Sequence, residues 1–163
     1  MNKKILLILF VLFSPMVVYA APANPAFHDD NFYQCVISAY NSKNNTSLPI
    51  TTNLTDEELK TIKSLSCAIA SVSDASGIEK MTSLTYLNLS ENQLTSIDLS
   101  KNTSLIDLDL SANQLTSIDL SQNTALTYLV LEKNSLKALD SYLFNGGVVI
   151  YSSEIILPSN LSV

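Results

Sequence analysis

The centre of the chain repeats itself. Three consecutive segments with the same arrangement of leucines begin at Leu84, Leu105 and Leu126, so the period is 21 residues. Self-similarity at a fixed spacing in the range of about 20–50 residues is typical of a solenoid, in which each repeat forms one turn of a coil and buries its apolar side against its neighbours. This feature predicts a stack of similar turns with a continuous core.

Each repeat fills the same positions with the same residue types. The second and third leucine positions hold Leu87, Leu108 and Leu129, then Leu89, Leu110 and Leu131. An asparagine and a final leucine follow, at Asn92, Asn113 and Asn134, and at Leu94, Leu115 and Leu136. This pattern, L-x-x-L-x-L-x-x-N-x-L, resembles the leucine-rich repeat. Its L-x-L alternation predicts short strands with inward leucines, stacked in parallel about 4.8 Å apart.

The asparagines are predicted to be structural. Each follows a strand, where the chain turns and its peptide groups lose their partners, and an amide side chain can both donate to and accept from those groups. Asn92, Asn113 and Asn134 should therefore form a ladder. Asn102 and Asn123 predict a second asparagine column on the convex side, where the third repeat has Phe144 instead.

The whole chain is predicted to be an α/β solenoid, a short right-handed leucine-rich-repeat coil with a parallel β-ladder and a helical N-terminal cap. The expected order is a signal peptide (1–20), the helical cap (21–61), a degenerate repeat (62–83), three repeats (84–146) and a C-terminal cap (147–163). The degenerate repeat keeps the spacing with Ile62, Leu65, Cys67, Ala70 and Val72.

The caps are predicted from local signals. A helix is expected over 27–41 with Asp29 or Asp30 as its N-cap, and Thr55 to Glu58 form a capping box that opens a second short helix, extended through the sequence LKTIKSL. At the other end, 148–151 and 155–157 predict short covering strands. Ser152 and Ser153 replace an inward leucine, so the ladder should stop there.

The first residues predict a secretory signal peptide. Lys3 and Lys4 precede an apolar run, and Val18-Tyr19-Ala20 fits cleavage after Ala20. A transmembrane anchor is the alternative, but the run is short for a span and is interrupted at Ser14-Pro15. We therefore expect a secreted or periplasmic protein with no membrane anchor after cleavage.

Charge and cysteines narrow the partners. The chain carries a net charge of −6 and has no arginine, the preferred residue for phosphate contacts. Nucleic acid is accordingly excluded, and a basic protein or a cation is favoured as the partner.

In an oxidising compartment Cys35 and Cys67 predict a disulfide, although both could instead be buried small apolar residues.

No enzyme template fits the chain. His28 is the only histidine, so neither a nucleophile–base pair nor a zinc site is supported, and no catalytic residue, cofactor or metal is expected. Asp98, Asp119 and Asp140 recur every 21 residues. They are explained either by hydrogen bonds within their own turns or by a weak calcium site.

The outward strand positions are the better candidates for a binding site. They hold Tyr86, Asp107 and Tyr128, then Asn88, Asp109 and Val130, with Glu132 two residues further on. Two tyrosines beside an aspartate on a rigid sheet resemble a protein-interface hot spot. The alternative is that tyrosine merely suits an exposed strand.

The helical cap, the GIEKMTSLTYLNLS entry and the unit NQLTSIDLSKNTSL resemble the bacterial internalin-like secreted leucine-rich-repeat proteins. The resemblance implies a solenoid that binds proteins, in host or envelope interactions, and it does not transfer a particular ligand. We expect a monomeric protein-binding module. The alternative is a structural envelope or assembly component without a dedicated ligand site.

Overall fold

A computed structural model describes residues 24–136 and the backbone of a strand at Val148–Ile150. The predicted signal peptide, Asp140, Phe144 and most of the predicted C-terminal cap lie outside the described residues. The strands form one five-stranded sheet in sequence order, and every neighbouring pair is parallel. They are β1 (Ser64–Ser66), β2 (Tyr86–Asn88), β3 (Asp107–Asp109), β4 (Tyr128–Val130) and β5 (Val148–Ile150).

The predicted parallel ladder is confirmed. The middle residues of the first four strands pair in one register and are fully buried, as are the leucines that follow β2 to β4. Their outward neighbours alternate with them, as a strand requires. Val149 of β5 pairs with Leu129, so the segment predicted as a covering strand continues the ladder by one turn.

Asparagine side chains bond to the backbone of the turns that follow β2, β3 and β4. Asn113 donates to the carbonyls of Leu89, Leu110 and Ser111 and accepts from the backbone N–H of Leu94. The residue before each ladder asparagine is left-handed, at Glu91, Ala112 and Lys133. The predicted second column is also present, because Asn102 and Asn123 are buried and donate to carbonyls of the preceding turn.

The first helix, α1 (Asp30–Asn44), caps the N-terminal end of the stack. The predicted N-cap is confirmed as Asp29, which accepts from the N–H groups of Asn31 and Phe32, whereas the segment from Phe27 lies before the helix and the helix extends to Asn44 rather than Asn41. Phe27 instead lies in the core with its ring centroid 4.6 Å from that of Tyr33. Gly77 leaves room for it, since a Cβ there would come within 2.6 Å of the Phe27 ring.

The second helix, α2 (Asp56–Lys60), begins with the predicted capping box of Thr55 and Glu58. The helix was expected to continue to Leu65, but it ends at Lys60. Ile62 and Leu65 are buried at repeat positions, and Leu65 lies in β1, so strand pairing takes over where the sequence still favours helix. A 3-10 turn at Ile78–Lys80 then leads to the first complete repeat.

One carboxylate joins the cap to the solenoid. Besides capping α1, Asp29 accepts from the backbone N–H and hydroxyl of Ser73 at 2.8 and 2.9 Å and from the N–H of Asp74 at 3.2 Å. Burial by itself would raise the pKa of Asp29, but the hydrogen bonds from Ser73, Phe32 and Asp74 outweigh it and hold the pKa below its ordinary value. The ionised form of Asp29 therefore stabilises the folded cap.

Candidate functional site

The outward side chains of β1 to β4 form a surface that we call the strand face. Tyr86, Asp107 and Tyr128 pair directly across β2, β3 and β4. The tyrosines are 38% and 40% exposed, and strand spacing places neighbouring members about 4.8 Å apart. The structure thus brings together the three residues that the sequence placed in one outward column.

The next outward column, which holds Asn88 and Asp109, also accepts hydrogen bonds from the turns that follow the strands. The Oδ1 atom of Asn88 accepts from the N–H and hydroxyl of Ser90 at 2.9 and 2.7 Å. Asp109 accepts from Ser111 in the same way, at 2.9 and 2.6 Å. Both side chains are half-buried. Asn88 and Asp109 are therefore partly structural, and Asp109 still contributes its negative charge to the strand face.

Val130 does not have the expected accessibility. It was predicted as an exposed contact residue in the same column as Asn88 and Asp109, but it is only 8% exposed. Its backbone pairs with Ile150 of β5, so the additional strand lies directly beside it. Glu132, two residues beyond, is half-buried. Val130 therefore belongs with the packing of the C-terminal turns.

Ile106 is an exposed residue that the sequence reasoning missed. It lies one residue before β3 and is 42% exposed. The equivalent positions of the flanking repeats hold Thr85 and Thr127, so the sequence could have indicated Ile106 as an apolar residue at a position that is otherwise polar. Because β3 lies between β2 and β4, Ile106 adds an exposed apolar side chain near the entry of the strands that carry Tyr86 and Tyr128.

Acidic groups dominate the C-terminal half of the strand face. Asp107 and Asp109 both lie on β3, and Glu132 follows β4. Among the described residues, no ion pair involves these three carboxylates. The strand face therefore combines exposed aromatic side chains with carboxylates that form no ion pair among the described residues.

The recurring aspartates of the convex side have local partners. Asp98 accepts from the N–H of Ser100 and Asp119 from that of Ser121, both at 2.9 Å. These backbone hydrogen bonds lower the pKa of each carboxyl. The described residues contain no group of three or more side chains placed to hold a metal ion. Hydrogen bonding within the turn thus accounts for Asp98 and Asp119.

Cys35 and Cys67 lie side by side, and the structure has both as free thiols. Interaction between the two thiols lowers the pKa of Cys35 and raises that of Cys67, whose burial raises it further. Cys35 comes from α1, and Cys67 directly follows β1. The predicted juxtaposition is present, while the covalent bond between them stays a prediction.

The single-register parallel strands, the two asparagine columns and the N-terminal helical cap define a leucine-rich-repeat solenoid. Among the described residues, no helix is long and apolar enough to cross a membrane. Comparison with family models gives no match.

Known proteins of the same type are similar to this chain. Internalin J of Listeria monocytogenes is 39% identical over 77 residues, which are 47% of this chain and 8% of internalin J. A solved structure of the functional domain of InlJ from that organism, described as including a cysteine ladder, has a TM-score of 0.68 and 34% identity, and the match covers 80% of this chain and 28% of that one.

The crystal structure of the Listeria monocytogenes internalin InlF has a TM-score of 0.66 at 24% identity, over 89% of this chain and 49% of that one, and supports the fold alone. The chain thus spans only a small part of the curated relative that it matches. It is an internalin-like leucine-rich-repeat protein, as the repeat motifs indicated.

Proposed function

We propose that this protein is a secreted or periplasmic protein-binding module, acting in host or envelope interactions, and that it is not an enzyme. It contacts a basic protein partner through the strand face. The similarity to internalins supports a protein-interaction role. The observation that carries the proposal is the exposed pair Tyr86 and Tyr128 beside the carboxylates of β3, which form no ion pair among the described residues.

The physical reason lies in how such a surface gains affinity. Tyrosine offers a large contact area with few rotatable bonds, so little side-chain entropy is lost when a partner covers it. The leucines behind the strand face are buried and the asparagine ladder fixes the turns, so the tyrosines are held on a rigid support. Carboxylates near them speed the approach of a basic partner and make its binding dependent on salt.

The test compares the wild-type protein with Tyr86→Ala/Tyr128→Ala. Both proteins are used to capture partners from host and envelope extracts, and the captured protein is then titrated in purified form. The double variant should bind at least about 30-fold more weakly, because hot-spot residues contribute about 2 kcal/mol or more. Thermal unfolding should change little, since both side chains alternate away from the core.

A matched control is Lys101→Ala/Gln122→Ala, which truncates two exposed side chains that lie outside the strands. It should bind the partner like the wild type. Asp107→Asn/Asp109→Asn should slow association and flatten its salt dependence. A partner that binds the tyrosine variant as tightly as the wild type would contradict the strand-face assignment. The structural alternative, an envelope or assembly component, predicts that no interaction is lost from it.

A further inference from the structure

A groove lies at the N-terminal end of the strand face, between α1 and β1. Its volume is about 660 Å³. Two lysines, Lys43 from α1 and Lys63 just before β1, line it together with four serines and the apolar side chains of Ala39 and Ile62. We call it the lysine groove.

The two lysines have no carboxylate partner among the described residues. Two other lysines of this part of the chain do form ion pairs, Lys60 with Glu57 at 3.9 Å and Lys80 with Asp56 at 3.0 Å. Lys43 and Lys63 are exposed and occur in no ion pair of the described part. In a chain with a net charge of −6, the lysine groove is thus a local concentration of uncompensated positive charge.

Hydroxyl groups accompany the lysines. The serines of the groove are Ser38, Ser42, Ser64 and Ser66. Of these four hydroxyls, only that of Ser38 has an acceptor among the described residues, the Gln34 carbonyl at 2.8 Å. Ammonium and hydroxyl donors together match the acceptor oxygens of a carboxylate.

The lysine groove is continuous with the strand face. Ser64 and Ser66 are the outward residues of β1, and they pair with Tyr86 and Asn88 of β2. One strand further, the same two columns hold Asp107 and Asp109. Two strand spacings, about 10 Å, separate Ser64 and Ser66, which line the lysine groove, from this acidic pair. The surface therefore changes from positive to aromatic to negative along the ladder.

We propose that the lysine groove binds an acidic side chain of the partner, at a distance of about 10 Å from the basic side chain that Asp107 and Asp109 attract. This inference rests on the proposed function and specifies the partner's chemistry. An α-helix matches the spacing, because residues seven apart lie on the same face and about 10 Å from each other. The partner segment is thus a helix with Glu or Asp at one position and Lys or Arg seven residues away.

The first experiment tests the lysine groove alone. Backbone amide shifts of the isotope-labelled protein are followed by NMR during titration with N-acetylglutamate amide, with N-acetylglutamine amide as the neutral match. The acidic probe should shift the amides of Lys63, Ser64 and Ser66, and Lys43→Gln/Lys63→Gln should weaken its binding about fivefold. Lys101→Gln/Lys133→Gln removes the same charge from exposed positions elsewhere and should leave the shifts intact.

Three outcomes of this titration would overturn the inference. One is equal binding of the acidic and neutral probes. Another is inorganic phosphate binding tenfold more tightly than N-acetylglutamate amide, which would assign the lysine groove to phosphate rather than to a side-chain carboxylate. Loss of the shifts in the Lys101→Gln/Lys133→Gln control would also contradict it, because net charge alone would then explain the binding.

The second experiment links the lysine groove to the strand face. An alanine-rich helical peptide of about 18 residues, long enough to form a helix in water, carries Glu and Lys seven residues apart. Two versions replace either Glu or Lys by Gln. The Lys43→Gln/Lys63→Gln protein should no longer bind the original peptide more tightly than the version without Glu. It should still bind the original peptide more tightly than the version without Lys. No preference for Glu in the wild type overturns the inference and leaves the proposed function standing, whereas no preference for Lys counts against the proposed function itself.

Discussion

Replacing the ladder asparagines by alanine should destabilise the protein unequally. In Asn113→Ala the backbone N–H of Leu94 loses its acceptor at 3.0 Å and has no other partner among the described residues. The carbonyl of Leu89 keeps a second donor, Asn92 Nδ2 at 2.9 Å, and that of Leu110 keeps Asn134 Nδ2 at 2.8 Å. One buried donor is therefore orphaned, which costs about 2 kcal/mol.

Asn92→Ala should cost more because its partners belong to the degenerate repeat. The N–H groups of Ala70 and Val72 both donate to Asn92 Oδ1, at 3.2 and 2.9 Å. Its Nδ2 donates to the carbonyl of Cys67 at 2.7 Å. None of these three groups has another hydrogen bond among the described residues, so two donors and one acceptor are orphaned. Because Ala70 is half-buried, only two of these three groups lie in the interior, and we expect a loss of about 4 kcal/mol, twice that of Asn113→Ala.

Urea unfolding followed by circular dichroism measures both values. Gln93→Ala and Gln114→Ala are matched controls, since each removes an exposed amide one residue beyond a ladder asparagine. Each control should lie within about 0.5 kcal/mol of the wild type, the usual range for surface substitutions. Equal losses for Asn92→Ala and Asn113→Ala would refute the counting of orphaned groups. A loss below about 0.5 kcal/mol for either would refute the structural role itself.

Two further predictions concern the cap. Oxidation should join Cys35 and Cys67 and stabilise the protein by about 3–4 kcal/mol in the chain-entropy model, and two free thiols in the unreduced, denatured secreted protein would contradict it. Asp29→Asn should lower the free energy of unfolding at pH 7 by about 1–2 kcal/mol, because the amide offers one acceptor oxygen where the carboxylate offers two. The pKa of Asp29 is depressed below 3.8, so its contribution is present above that pH and is lost as pH falls through the lower value. Acid titration of stability should therefore be flatter in Asp29→Asn, and parallel curves would count against this assignment.

The repeat made most of the fold predictable, because residues 21 positions apart occupy equivalent places in successive turns. Once Leu87 and Leu108 are assigned to equivalent positions, the strand, the register and the turn asparagines follow. The capping box at Thr55 was equally predictable, since its residues are near in sequence. The alignment of Tyr86, Asp107 and Tyr128 in one outward column was predictable for the same reason, since they are equivalent positions of successive turns.

Contacts between distant segments were not predictable in this way. Helical propensity continues past Lys60, but Leu65 gains ladder bonds and burial in β1, and these outweigh it. The burial of Val130 depends on β5, whose parallel pairing lies beyond the clear repeats. The second role of Asp29, joining α1 to Ser73, spans 44 residues and leaves no periodic signal.

The distribution of roles within a repeat separates stability from recognition. Inward positions are occupied by leucines, and the turn positions by asparagines whose amides bond to neighbouring turns. What remains free to vary is the outward column and the residue before each strand, where Tyr86 and Ile106 are found. Substitutions there leave the core and both asparagine columns intact. In this solenoid, specificity can therefore change at the strand face without the fold being lost, whereas one altered turn asparagine leaves a buried polar group unpaired.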